Sequence, residues 1–391
     1  MTTNMRSGRS TLLFAALLAF ATLIPLPHGA ADAASPADRA LIAYTANGGV
    51  FLMRGDGSDR RPIGMADNYA WSRDGRYLLL VRDGSLLVLD PASGATRTLA
   101  TGISEDDFPP AWAIDGDTIL YERSGGAAPT THTVSMVDLS GRSTLLWRFA
   151  GREGCGGGAP FAPEYLQWRE VGLNGVAGGM QWSMARHLAV YSASCSGGLN
   201  VTDTRTGRTQ PLNPPGTTWF EPALSPQGGL AVMAARDLGS ARSIVLTSPV
   251  PRARAITVAP GELPRWSVDG QTLYFEQITA AKPVPYVGAA GTQNAAPAHV
   301  SSIWRVGANG AGPSRIYAQN AYALGPLSLL AGSAGLVFSS VDNVTAAAKQ
   351  YLTTGADSAA VASHVRIMRL DLATGRAGTL LISAGRPQGQ P

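Results

Sequence analysis

The stretch "NYAWSRDGRYLLLV", which ends at Val81, recurs along the chain, and this recurrence limits the fold more than any other feature. It returns as "PPAWAIDGDTILYE", "GMQWSMARHLAVYS", "EPALSPQGGLAVMA" and "LPRWSVDGQTLYFE", with a weaker copy in "GPLSLLAGSAGLVFSS". Aligned on Trp71, Trp112, Trp182, Leu224, Trp266 and Ser328, the copies lie 41, 70, 42, 42 and 62 residues apart. A unit of about 42 residues therefore recurs, interrupted by two insertions. Each copy continues with an apolar strand such as "YLLLV", a second such as "SLLVLD" and a short closing one such as "ATRTL". Residues 40–64 hold one more copy that lacks its Trp strand. Gly and Pro (46 and 26 residues) punctuate these runs, and no long segment shows a helical period. Four short strands per unit predict an all-β chain: a single β-propeller of four-stranded antiparallel blades. Seven copies predict seven blades, with six as the alternative because the first copy is short by one strand.

In such a blade the x-W-S strand lies innermost and its indole fills the wedge between neighbours. Asp-Gly then makes the tight turn into the next strand, Gly supplying the positive φ. Trp71, Asp74, Trp112, Asp115, Trp182, Trp266 and Asp269 are on this reading structural residues of the repeat. The motifs "AWSRDG", "AWAIDG", "RWSVDG" and "RGDGSDRRPIG" resemble the TolB-like (PD40, WD40-like) propeller repeat over about residues 40–384. The resemblance implies the fold and is nearly silent on chemistry. Leu224 and Ser328 stand where that repeat has Trp, and "SMARH" replaces its S-P-D-G turn. No counterpart of the family namesake's N-terminal domain is expected between residues 34 and 40, so a role in the Tol-Pal system is not implied.

The chain opens with Arg6 and Arg9, an apolar run from Thr11 to about Leu26, and an A-x-A site at Ala31-Asp32-Ala33. This is the pattern of a secretory signal peptide over residues 1–33, with an uncleaved anchor as the alternative. Residues 34–391 are then the propeller, periplasmic or secreted, with no membrane span after cleavage. Net charge is +4 over 391 residues, and only Lys282 and Lys349 are lysines. The basic residues are scattered, so no nucleic-acid partner is expected. In an exported chain Cys155 and Cys195 are expected to form a disulfide. The alternative, a zinc or redox site, lacks the C-x-x-C spacing.

Function must be sought in what departs from the repeat. With strands lettered A to D outwards, A–B and C–D turns share one face, and B–C loops and D–A links share the other. The long excursions, at about 148–180, 277–300 and 341–363, and the smaller Ser124–Thr131, all fall in the second class. One face is therefore expected to be plain and the other decorated, and binding favours loops on a rigid scaffold. Phe161, Tyr165, Trp168 and Tyr286 are the candidate aromatic anchors there. Asp67, Asn68, Asp106, Asp107, Glu221 and Glu262 precede successive A strands as a mildly acidic set at the channel mouth, of which Asp106, Asp107 and Glu221 are candidate ligand residues. His132, His299 and His364 read as solvated loop histidines. "AGSAG" at Ala331–Gly335 lacks the first Gly of a nucleophile elbow, and no P-loop, EF-hand, H-E-x-x-H or Rossmann fingerprint occurs. A prolyl-oligopeptidase-type hydrolase domain is not expected after the last strand. No catalytic residue, metal ligand or cofactor is assigned. The reading is a monomeric, non-catalytic exported propeller that binds a protein, peptide or envelope glycan. The alternative is a lyase- or lactonase-type propeller enzyme, or a small-ligand or cation binder, with its site at the axial channel.

Overall fold

A computed structural model describes residues 36–46, 49–103, 110–125, 131–150, 180–192, 198–235, 241–287, 293–321, 323–330, 334–341 and 364–384. Seven antiparallel sheets follow one another along the chain, and the order of strands in each sheet follows the sequence. Blade 2, for example, runs Asn68–Trp71, Leu78–Arg82, Ser85–Leu89 and Thr96–Thr101. Blade 1 has three strands among the described residues, Leu41–Ala46, Gly49–Arg54 and Arg61–Gly64. The only described helix is the four-residue turn Pro36–Arg39. The chain is a seven-bladed β-propeller, as the repeat predicts.

Period-2 alternation explains why the sheets stand face to face. In strand B of blade 2, Leu78 and Leu80 pack towards Ala43, Val50 and Leu52 of blade 1. Leu79 and Val81 point the other way, onto Ile119, Tyr121 and Val137 of blade 3. Each junction holds one such cluster, and the last joins Ile42, Tyr44 and Met53 of blade 1 to Leu330, Val337 and Ile367 of blade 7. That contact closes the ring. Burying each such side chain contributes about 1.5–3 kcal/mol, so stability is spread around the disc.

The motif residues also bond between blades. The indole N–H of Trp112 donates to the Ala70 carbonyl at 3.0 Å, that of Trp182 to Ala111 at 2.9 Å and that of Trp266 to Ala223 at 2.9 Å. Every acceptor is the residue just before the Trp position of the preceding blade. Where Leu224 and Ser328 replace Trp, that preceding residue reaches forward instead. The Gln181 side-chain oxygen accepts from the Leu224 amide at 2.8 Å, and Arg265 Nε donates to the Leu327 carbonyl at 3.3 Å.

Turn chemistry repeats where the sequence does. Ser72 Oγ donates to Asp74 at 2.7 Å, and Asp74 accepts the Arg76 amide at 3.0 Å. Ser267 and Asp269 repeat this at 2.5 and 3.0 Å, and the Ser267 hydroxyl and Gln271 amide hold the Asp269 carboxyl below its ordinary pKa. Blade 3 has Ala113 in place of the Ser. Its Asp115 turns to blade 4 instead, accepting from Ser183 Oγ and from the Met184 and Ala185 amides at 2.9 and 3.1 Å. Asp115 thus replaces the carboxylate missing from "SMARH". Asp115→Ala is expected to cost about 1–2 kcal/mol, since two amides and a buried hydroxyl lose their acceptor. Chemical denaturation measures this, and Asp74→Ala, whose bonds stay within one turn, should cost less.

Two loop expectations change. The described part of residues 277–300 is not a loop but the outer half of a paired ribbon, Thr272–Val287 against Gln293–Gly307, whose pairing resumes after a register shift between Ala281 and Val284 and reaches Val287↔Gln293. Backbone pairing needs no apolar side chains, so an Ala/Pro-rich segment extends the hairpin of its own blade. In blade 3 the strands Ile119–Gly125 and Thr131–Val137 likewise pair out to Gly125↔Thr131. Residues 151–179 and 342–363, with Cys155, Phe161, Tyr165 and Trp168, lie outside the described residues, as does Cys195.

Candidate functional site

The A strands of blades 5 and 6 carry the most unusual backbone near the axis. They run Thr218–Leu224 ("TWFEPAL") and Glu262–Trp266 ("ELPRW"). Pro222 and Pro264 have no N–H to give the ladder, so the register shifts between Phe220 and Ala223 and between Glu262 and Arg265. The residue before each proline takes the left-handed region, Glu221 at φ 51° and Leu263 at φ 53°. Each such non-glycine residue costs about 1–3 kcal/mol, and a bulge of this kind re-aims the neighbouring side chains.

Those side chains form a charged group between blades 5, 6 and 7. Arg242 pairs with Glu262, which is buried. Burial lowers the Arg265 pKa, and the negative charge of buried Glu221 opposes that. Glu276, opposite Glu262 in the blade 6 ladder, is fully buried. Its Oε1 accepts the Leu324 amide at 2.7 Å, while its Oε2 has no hydrogen-bond partner among the described residues. Burial pushes this carboxyl well above the usual range and the Glu262 charge adds to it; the Leu324 amide and Ser301 hydroxyl work the other way.

The sequence reading placed a mildly acidic rim here, and the geometry is different. Glu221 and Glu262 are buried, and each has an arginine beside it, so neither stands as an open acidic rim. Asp67 lies in a turn, accepting the Asp83 amide at 3.3 Å, and Asp106 and Asp107 lie outside the described residues. Tyr286 lies in the blade 6 hairpin opposite Asn294. His132 is not solvated: it is buried in strand C of blade 3 and bonded to the fully buried Glu122. No spacing rule exposes this pair, because Glu122 and His132 meet only through strand register. Glu276, Arg242 and Arg265 were likewise not singled out, since "LYFE" and "LPRW" read as ordinary strand.

On the opposite face Arg73 spans the centre. Its guanidinium donates to the Ile114 carbonyl at 2.7 Å and to the Val268 carbonyl at 3.2 Å. Blades 2 and 6 are not neighbours, so this side chain bridges the central opening on the turn face. Among the described residues no group of three His, Cys, Asp or Glu side chains is placed to hold a metal ion, and no helix is long and apolar enough to cross a membrane.

Neither a family model nor a curated protein matches the chain. Among solved structures, puromycin hydrolase matches at TM-score 0.51 and 15% identity, over 90% of this chain and 55% of that one. Oligogalacturonate lyase from Vibrio parahaemolyticus matches at TM-score 0.50 and 9% identity, over 78% of this chain and 88% of that one. TolB from Acinetobacter baumannii matches at TM-score 0.42 and 13% identity, over 70% of this chain and 62% of that one, less than two thirds of its length. Proteins of different chemistry share this architecture, so the likeness carries the fold alone. In its ring of blades the chain is a seven-bladed β-propeller, and its repeat resembles that of the TolB-like propellers.

Proposed function

We propose that the chain is an exported, non-catalytic binding scaffold that captures a protein, peptide or envelope glycan on its decorated face. One observation carries this reading: the blade 6 hairpin pairs from Gln277↔Ser302 out to Val287↔Gln293, beyond the Glu262–Trp266 strand that flanks it in the sheet. The outer strand Ser314–Asn320 stays with it only to Val300, opposite Thr279, so at about 3.3 Å per residue the eight residues from Ala280 to Val287 carry the ribbon roughly 25 Å past the blade. Such a projection adds nothing to the inter-blade clusters and offers a long surface on a rigid base. Phe161, Tyr165, Trp168 and Tyr286 would supply the anchors an interface uses. A disulfide between Cys155 and Cys195 would tie the 148–180 insertion to blade 4.

The test replaces residues 280–298 by a two-residue turn and compares capture from envelope extract by the two chains. Capture should be lost while the melting midpoint stays within about 2 °C, because no core residue but Ala298 is removed. Capture that survives the deletion refutes this reading. A second reading, a small-ligand or lyase-type site at the axial mouth, draws support from the strained Glu221 and buried Glu276. Loss of capture on Glu221→Ala, with the hairpin deletion silent, would favour it.

A further inference from the structure

The A–B turn of blade 4 differs from its counterparts at one residue. In blades 2, 5 and 6 the left-handed position of that turn holds Gly75, Gly228 and Gly270, at φ 72°, 89° and 70°. In "SMARH" it falls on His187, at φ 52°. A residue with a Cβ is strained there, and strain kept where glycine would serve points to a use for the side chain. His187 lines a cleft of about 400 Å³ between blades 4 and 5 on the turn face. Arg186 joins it from the same turn, Arg208 and Gln210 come from beyond the C–D turn of blade 4, and Pro249 comes from blade 5. The cleft therefore gathers basic residues that lie apart in the sequence.

The turns that carry these groups are held in place. A Cβ on Gly228 would overlap the Arg186 guanidinium, so that group rests on the bare backbone of the blade 5 turn. A Cβ on Gly207 would stand 2.9 Å from Cβ of Trp147, so the turn that leads to Arg208 lies directly on blade 3. The Thr204 amide donates to the His187 carbonyl at 2.9 Å and ties the two blade 4 turns together. Asp203 is the carboxylate in the lining, and its charge is already matched. Arg205 pairs with it at 3.0 Å, and that side chain and the Arg205 amide hold its pKa down to about 2. Arg186 and Arg208 leave the cleft positive, and Arg252 and Arg254, between strands Ser243–Thr247 and Ile256–Pro260 of blade 5, add to the field. A guanidinium presents a fork of donors that matches two oxygens of a phosphate or carboxylate. The volume is that of a small-molecule site.

We propose that this cleft binds a small organic oxyanion, its phosphate or carboxylate group held by Arg186, Arg208 and His187 and its body resting against Pro249 and Gln210. The site lies on the turn face, away from the blade 6 hairpin, and is separate from the capture proposed there. Phosphate and carboxylate share the chemistry that two guanidiniums recognise, and the choice of probes separates them.

Isothermal titration calorimetry on the full chain, in Tris chloride at fixed ionic strength, uses glycerol 3-phosphate, succinate and neutral glycerol as probes. One or both anions should bind at a single site per chain, and glycerol should not; the anion that binds names the group. Arg186→Gln and Arg208→Gln should each weaken binding about tenfold or more. Arg142→Gln, in the C–D turn of blade 3, should leave it unchanged. His187→Gly should weaken it about threefold and yet raise the melting midpoint, because glycine relieves the left-handed backbone. All four positions are exposed, so the variants should fold, and the same midpoint checks this. Failure of both anions to bind at about 10 mM overturns the proposal. So does an equal loss in Arg142→Gln, which would mark general charge attraction, or His187→Gly binding as tightly as the parent.

Discussion

Trp182→Ala is expected to lower the unfolding free energy by about 4 kcal/mol, the largest effect of any single motif substitution. Trp182 is 1% exposed and sits among Ala113, Leu120, Val134, Met180 and Ala189, between blades 3 and 4. Truncation removes the indole from a wedge that two stiff sheets hold open, so the void collapses only in part. The Ala111 carbonyl also loses its indole donor. In a chain of this size the midpoint should fall by roughly 5 °C, read by thermal unfolding. Trp182→Phe fills most of the volume but donates nothing, and should cost about half as much. Two variants with equal costs would show that the bond between blades, and not packing, sets the contribution.

Glu276→Gln is expected to stabilise the protein at pH 8, by on the order of 2 kcal/mol, and to leave it unchanged near pH 4. Burial, reinforced by the Glu262 charge, keeps the proton on the folded carboxyl to well above the unfolded value of 4.5. The contribution of Glu276 is thus complete below the unfolded value and is lost as pH rises through the folded one. Gln keeps an oxygen for the Leu324 amide and never ionises, so it removes that loss. Urea titrations of parent and variant at pH 4, 6 and 8 measure the difference. A gap of equal size at all three pH values would place the effect in shape rather than charge.

The blades, their number and the turn chemistry were legible because each is written in neighbouring residues. "YLLLV" announces a strand buried on both faces, and Ser72-x-Asp74-Gly75 announces its turn through bonds that span a few residues. The blade 6 hairpin was misread as a loop because its Ala- and Pro-rich residues lack a strand's apolar alternation, although its backbone pairs on both sides of an irregularity between Ala281 and Val284. Glu122 with His132, and Glu276 with Glu262, were not legible because register brings them together.

What the sequence by itself determined is the period of about 42 residues, the strand faces, and the positions where Trp gives way to Leu224 and Ser328. Only the tertiary structure decided what completes those positions. It put Gln181 and Arg265 across the two junctions without a Trp, turned Asp115 to serve the blade 4 turn, and carried Arg73 across the centre. The reason is physical. Alternation and turns act within a single strand or hairpin, whereas a bond between blades joins residues some 40 or more positions apart. Its partner exists only once the ring has closed and the inner strands stand side by side.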